Sequence, residues 1–156
     1  MAEFIPVLAL SFLVPAVWLD HRHHRIPNWL TGSLLVAAIV VQSIVQGVTG
    51  LGMALGGMLV GFGVFLVPYL KRGMAAGDVK LMAAVGACLG PTLALLAACA
   101  SLIVGGGIAV LLLTYRYYRE STATVDALLL TRFPYASAIA IGTSAALIIK
   151  EIPWIL

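Results

Sequence analysis

The chain has only six acidic residues, and two of them stand where they could do chemistry. Glu3 and Glu151 lie near the chain ends, and Glu120 and Asp126 share a polar stretch with Arg116 and Arg119, where solvated charge is the default reading. Asp20, in contrast, ends one apolar segment, and Asp78 begins another. A carboxylate at the edge of a bilayer is costly, which makes it a functional candidate. Two carboxylates held close together cannot both ionise easily, so one keeps its proton while the other gives it up. The ionised one can draw a proton from water while the protonated one polarises a peptide carbonyl, the acid–base pairing of an aspartic protease. The plainer reading pairs each carboxylate with a nearby Arg or Lys and makes Asp78 a helix cap. Spacing alone leaves both open.

The residues around the two aspartates add detail. Gly77 precedes Asp78 in the stretch Gly73-Met74-Ala75-Ala76-Gly77-Asp78-Val79-Lys80-Leu81, and a glycine there lets the backbone approach a substrate or take a positive φ. Lys80 is expected to contact the loop backbone, to assist Asp78, or to serve as a plain cationic anchor. After Asp20 the chain reads His21-Arg22-His23-His24-Arg25-Ile26-Pro27-Asn28-Trp29-Leu30-Thr31. Pro27 separates two helices, and Asn28 or Thr31 can cap the second. His21, His23 and His24 could hold a metal or tune Asp20, but a loop facing water or lipid headgroups is the simpler reading. No metal or other cofactor is expected. Cys88 and Cys99 form no Cys-x-x-Cys pair and are expected to be small buried apolar residues.

The elements that must carry these residues follow from composition. Of 156 residues, 62% are hydrophobic and 10% charged, where a soluble domain has about 25% charged residues. Mean hydropathy is +1.10. Such a chain is an integral membrane protein, expected to be all-α, because its apolar runs are continuous and lack the period-two alternation of barrel strands. A disordered chain and a disulfide-stapled secreted module are both excluded. The net charge of +3 comes from residues at segment ends, so a nucleic-acid partner is not expected. Met1-Ala2-Glu3 lacks the positive start of a signal peptide, so the first apolar segment is expected to be retained.

Six transmembrane segments are expected within a single domain over 1–156. They run Phe4 to Leu19, Trp29 to about Val45, Leu51 to Leu70, Val79 to Leu89, Thr92 to Tyr115, and Phe133 to Ile149. A turn at Gln46–Gly50 parts the second from the third. The stretch Val79 to Tyr115 would be about 55 Å long as one helix, so Gly90-Pro91 should break it and leave a short fourth segment. With the N-terminus outside, Arg22, Arg25, Lys71, Arg72, Lys80, Arg116, Arg119 and Arg132 all fall on the cytoplasmic side and only Lys150 falls outside. Both termini are then extracytoplasmic, and both aspartates sit at the cytoplasmic boundary. The glycines of the third and fifth segments, among them Gly56-Gly57 and Gly105 to Gly107, permit close helix packing.

At these stretches the sequence resembles the prepilin peptidases, the membrane aspartic proteases of the type IV prepilin leader peptidase family. One match is an Asp followed after five residues by Ile-Pro-Asn-x-x-Thr, here Asp20 to Thr31. A second is the signature G-x-G-D-x-K-L, here Ala75 to Leu81, and a weaker third is Phe133-Pro134-Tyr135 at the opening of a late helix. The resemblance implies a GxGD-type helical bundle with Asp20 and Asp78 as the catalytic pair, and Gly77, Lys80, Pro27 and Asn28 shaping the site. It implies removal of a short basic leader from pilin precursors at the cytoplasmic face of a bacterial inner membrane. The compact length looks most like the small members of tight-adherence (Flp-type) pilus systems.

Three features depart from the family pattern. Ala75 replaces the first signature Gly, and a methyl there would bar a positive φ. The cysteine-bearing cytoplasmic domain of the larger members is absent, so methyltransferase activity is not expected. The histidine run has no counterpart. The alternatives are a small non-enzymatic membrane subunit (a channel or pilus-assembly factor), a degenerate inactive peptidase, and a presenilin-like protease. The last expects its first aspartate within a helix after Tyr, whereas Leu19 precedes Asp20.

Overall fold

A computed structural model describes residues 4–23, 27–71, 73–119 and 135–150. It is all-helical, with five helices: α1 Phe4–His23, α2 Asn28–Leu70, α3 Ala76–Leu89, α4 Pro91–Arg119 and α5 Tyr135–Lys150. Two stretches, Asn28–Leu70 and Pro91–Leu112, are long and apolar enough to cross a membrane. The helix surfaces carry exposed Val7, Val14, Ile44, Val48, Leu59, Ile103, Leu111 and Ile148. Several hydroxyls along the helices are satisfied internally: Ser11 donates to the Leu8 carbonyl, Ser101 to Ala97 and Ser144 to Ala140, whereas the buried Thr143 hydroxyl finds no partner among the described residues. That combination fits a helical membrane protein, in which polar groups must find partners without water.

α2 is 43 residues long, about twice the length of one crossing. The turn expected at Gln46–Gly50 takes the form of a break inside this helix, at Gly47 with φ 62° and ψ −139°, a conformation glycine alone adopts cheaply. The break folds α2 into a hairpin. Its first half runs alongside α3, from the Asn28–Lys80 contact to Gln42 beside Ala87 and Cys88. Its second half runs the other way, bringing Gly57 against Gly86 and Gly61 against Met82. A Cβ on Gly57 would meet the Gly86 carbonyl, and one on Gly86 the Gly57 carbonyl, so the two backbones touch. Packing between membrane helices comes from such close contact, since lipid tails offer no hydrophobic drive.

α3 is the central element. It contacts all four other helices, and Asp78, Val79 and Leu81 through Cys88 are buried. At 14 residues it is about 21 Å long, short of the roughly 30 Å hydrocarbon core. Gly90, at φ 79°, ends it, and Pro91 opens α4. The α3 end therefore lies inside the molecule, where Gln42 satisfies it. The Gln42 amide donates to the carbonyls of Cys88 at 3.0 Å and Ala87 at 3.4 Å, and its oxygen accepts from Gln46.

Several sequence expectations change. Neither Asn28 nor Thr31 caps α2. Pro27 holds that position in extended backbone, Asn28 turns to Lys80, and the Thr31 hydroxyl donates back to the Asn28 carbonyl. Cys88 is buried, but Cys99 is exposed on the outer face of α4. α4 continues past Tyr115 to Arg119, because no breaker interrupts it there. Glu3, His24, Arg25, Ile26, Arg72, Glu120, Asp126, Arg132, Phe133, Pro134 and Glu151 lie outside the described residues.

Candidate active site

The site is built where α1 ends and α3 and α5 begin. In α1, Ala9, Leu13 and Ala16 form a buried stripe at helical spacing, and Asp20 is the next residue on it. The helix runs to His23 rather than stopping at Leu19, so Asp20 sits in the last turn and faces inward, 7% exposed. Its Oδ2 accepts the backbone N–H of Ala136 at 3.1 Å, a contact between residues 116 positions apart. Ala136 is the second residue of α5, where backbone N–H groups lack helical partners and favour an anion.

Asp78 is 4% exposed, in the first turn of α3. Its Oδ2 accepts the Ala75 N–H at 3.2 Å, while its own N–H donates to the Ala75 carbonyl at 3.1 Å. Asp78 therefore closes the loop onto its helix from the third helical position rather than from the cap. Ala75 takes φ −83° and ψ 150°, extended backbone open to any residue. Its methyl therefore costs this conformation nothing. Gly77 lies within α3 and has no positive φ; among the described residues only Gly47 and Gly90 do.

Asp20 and Asp78 lie near enough for the charge of Asp20 to act on Asp78. Tyr135, the first residue of α5, also lies within reach of the Asp78 charge. Lys80 stands two residues on but turns outward, its ammonium donating to Asn28 Oδ1 at 3.0 Å. Lys80 and Asn28 thus tie the starts of α3 and α2 together beside the aspartates. Asn28, Thr31, Leu35, Met58, Phe62 and Lys80 line a cleft of about 480 Å³ between the two halves of α2 and α3. Pro27 is half-buried at the entry to α2. His21 is exposed, and among the described residues no three His, Cys, Asp or Glu side chains cluster as metal ligands.

Two parts of this arrangement carry little signal in the sequence. The Ala136 amide is a backbone group, and nothing in the residue type announces it. Tyr135 lies in the weakest of the three motif matches, and only the fold brings it to the aspartates.

Asp20 and Asp78 are both buried, and each accepts a backbone N–H. Two buried carboxylates that feel each other's charge lose their protons in separate steps, the condition for one acid and one base in a single site. The model of the type IV leader peptidase family matches residues 7–110, which include Asp20 and Asp78 and stop before α5. No curated protein and no solved structure matches the chain. The family match covers more than half of the chain and both of the acids that converge here, and the chain belongs to the type IV leader peptidase family.

Proposed function

We propose that the chain is a membrane aspartic endopeptidase that removes the short basic leader from type IV pilin-like precursors, with Asp20 and Asp78 as its catalytic pair. The observation that carries the reading is a pair of buried carboxylates on α1 and α3, near enough for the charge of one to act on the other, in a member of this peptidase family. In the reaction, the ionised carboxylate takes a proton from water as the water oxygen attacks the scissile carbonyl carbon. The protonated carboxyl gives its proton to the carbonyl oxygen, which leaves a tetrahedral diol. Collapse of the diol breaks the C–N bond; the amine leaves with the proton held by the first carboxyl, and the second carboxylate recovers its proton from a diol hydroxyl.

The cytoplasmic face is the side we assign to this site, on the distribution of Lys and Arg. Exposed Trp18, with the Arg22 guanidinium 5.2 Å above its ring, and exposed Trp29 support a membrane interface at the level of the aspartates. We count the halves of α2 separately as two of six crossings, which with this face assignment leaves both termini extracytoplasmic in our reading. The substrate is then a precursor whose apolar helix lies in the bilayer and whose basic leader reaches the cytoplasm, and Flp-type pilins are the class we propose. The reading is tested by incubating the purified protein in nanodiscs with a Flp-type precursor and weighing the products. Release of the intact leader is the expected result. An unchanged precursor across several pilin classes would favour the non-enzymatic membrane subunit.

A further inference from the structure

Asp20 sits in the last turn of α1, and its Oδ2 accepts the Ala136 N–H of α5. The first turn of α5 must therefore be fixed. Tyr135, immediately before Ala136, is half-buried, with its ring laid against the backbone of α4 at Gly105. A Cβ on Gly105 would strike that ring, so the bare glycine is the seat of the aromatic side chain. Ala136 is itself fully buried, which leaves its N–H no water to turn to. The Tyr135 phenol lies within the field of Asp78, and the backbone N–H of the next residue meets Asp20. Tyr135 and Ala136 fall beyond the part of the chain that the family model matches, while Gly105 lies within it.

We infer that Tyr135 is a positioning residue of the aspartate pair: its ring, wedged on the Gly105 backbone, sets the first turn of α5 so that the Ala136 N–H meets the Asp20 carboxylate. The inference rests on the reading of Asp20 as catalytic, but it makes a structural statement that can be measured without activity. Amide exchange at Ala136, followed by NMR in nanodiscs, reads the hydrogen bond directly, and Asp20→Leu, which removes the acceptor, sets the scale of complete loss. Tyr135→Ala and Gly105→Ala should each speed exchange at Ala136 at least about tenfold, leaving the middle of α5 protected. In the cleavage assay the same variants should lower kcat about tenfold with KM unchanged, and Tyr135→Phe, which keeps the ring, should recover most of the loss. Unchanged exchange at Ala136 in both variants would overturn the inference, as would loosening spread evenly along α5. If no precursor is cleaved even by the unmodified protein, the proposed function fails, and the exchange data alone decide the role of Tyr135.

Discussion

The two ends of α3 both bury polar groups, but they use them differently. At its C-terminal end a neutral amide, Gln42, meets the Ala87 and Cys88 carbonyls, and Gln46 satisfies its oxygen. Donor and acceptor balance, and the arrangement ends a short helix inside an apolar molecule. At its N-terminal end two acids are brought within each other's field. Asp78 accepts the Ala75 N–H, and Asp20 accepts the Ala136 N–H. Two acids within each other's field cannot both ionise easily, a conflict that the neutral Gln42 bonds do not carry. Burial of polar groups alone does not mark a site; the proposed function rests on the burial of two groups that disfavour each other.

Predictions that break or sharpen this contrast run from large to small. Gly57→Val drives a side chain into the Gly86 carbonyl and should separate α2 from α3, disturbing both ends. Overpacking of this kind costs about 3 kcal/mol, read as a lower midpoint of thermal unfolding in detergent. Gln42→Leu touches the far end alone. It leaves the Ala87 and Cys88 carbonyls without their donor, and about 2 kcal/mol of stability should be lost, with kcat per folded molecule unchanged. Asn28→Ala removes an exposed bond to Lys80 and should cost about 1 kcal/mol or less, measured in the same unfolding experiment. Ala75→Gly, which restores the family's signature residue, should not raise kcat, because Ala75 already lies in ordinary extended backbone. It should lower stability by roughly 0.5 kcal/mol through the freer unfolded chain.

Much of this was legible in the sequence because it rests on local chemistry. Gly90-Pro91 cannot continue a helix, and the break stands there. Gly47 gives α2 its break within the turn expected at Gln46–Gly50. Asp20 and Asp78 drew notice because carboxylates are rare and costly in so apolar a chain. The contacts across the chain were not legible. Asn28 and Lys80 are 52 residues apart, and Asp20 and the Ala136 amide 116. Asn28 suits a cap by type, yet a tertiary partner takes its side chain. Gln42 drew no attention, because its role depends on where α3 happens to end. Cys99 follows the same pattern: an apolar segment does not say which of its faces meets a neighbour.

The central claim is that Asp20 and Asp78 act together as one acid–base pair. The direct test is cleavage of a Flp-type precursor by the unmodified protein and by Asp20→Asn, Asp78→Asn and the double variant, each confirmed as folded and inserted. The account predicts that each single variant loses on the order of 10³-fold in kcat and that the double variant loses little more. A single variant that still removes the leader at the unmodified rate would contradict it.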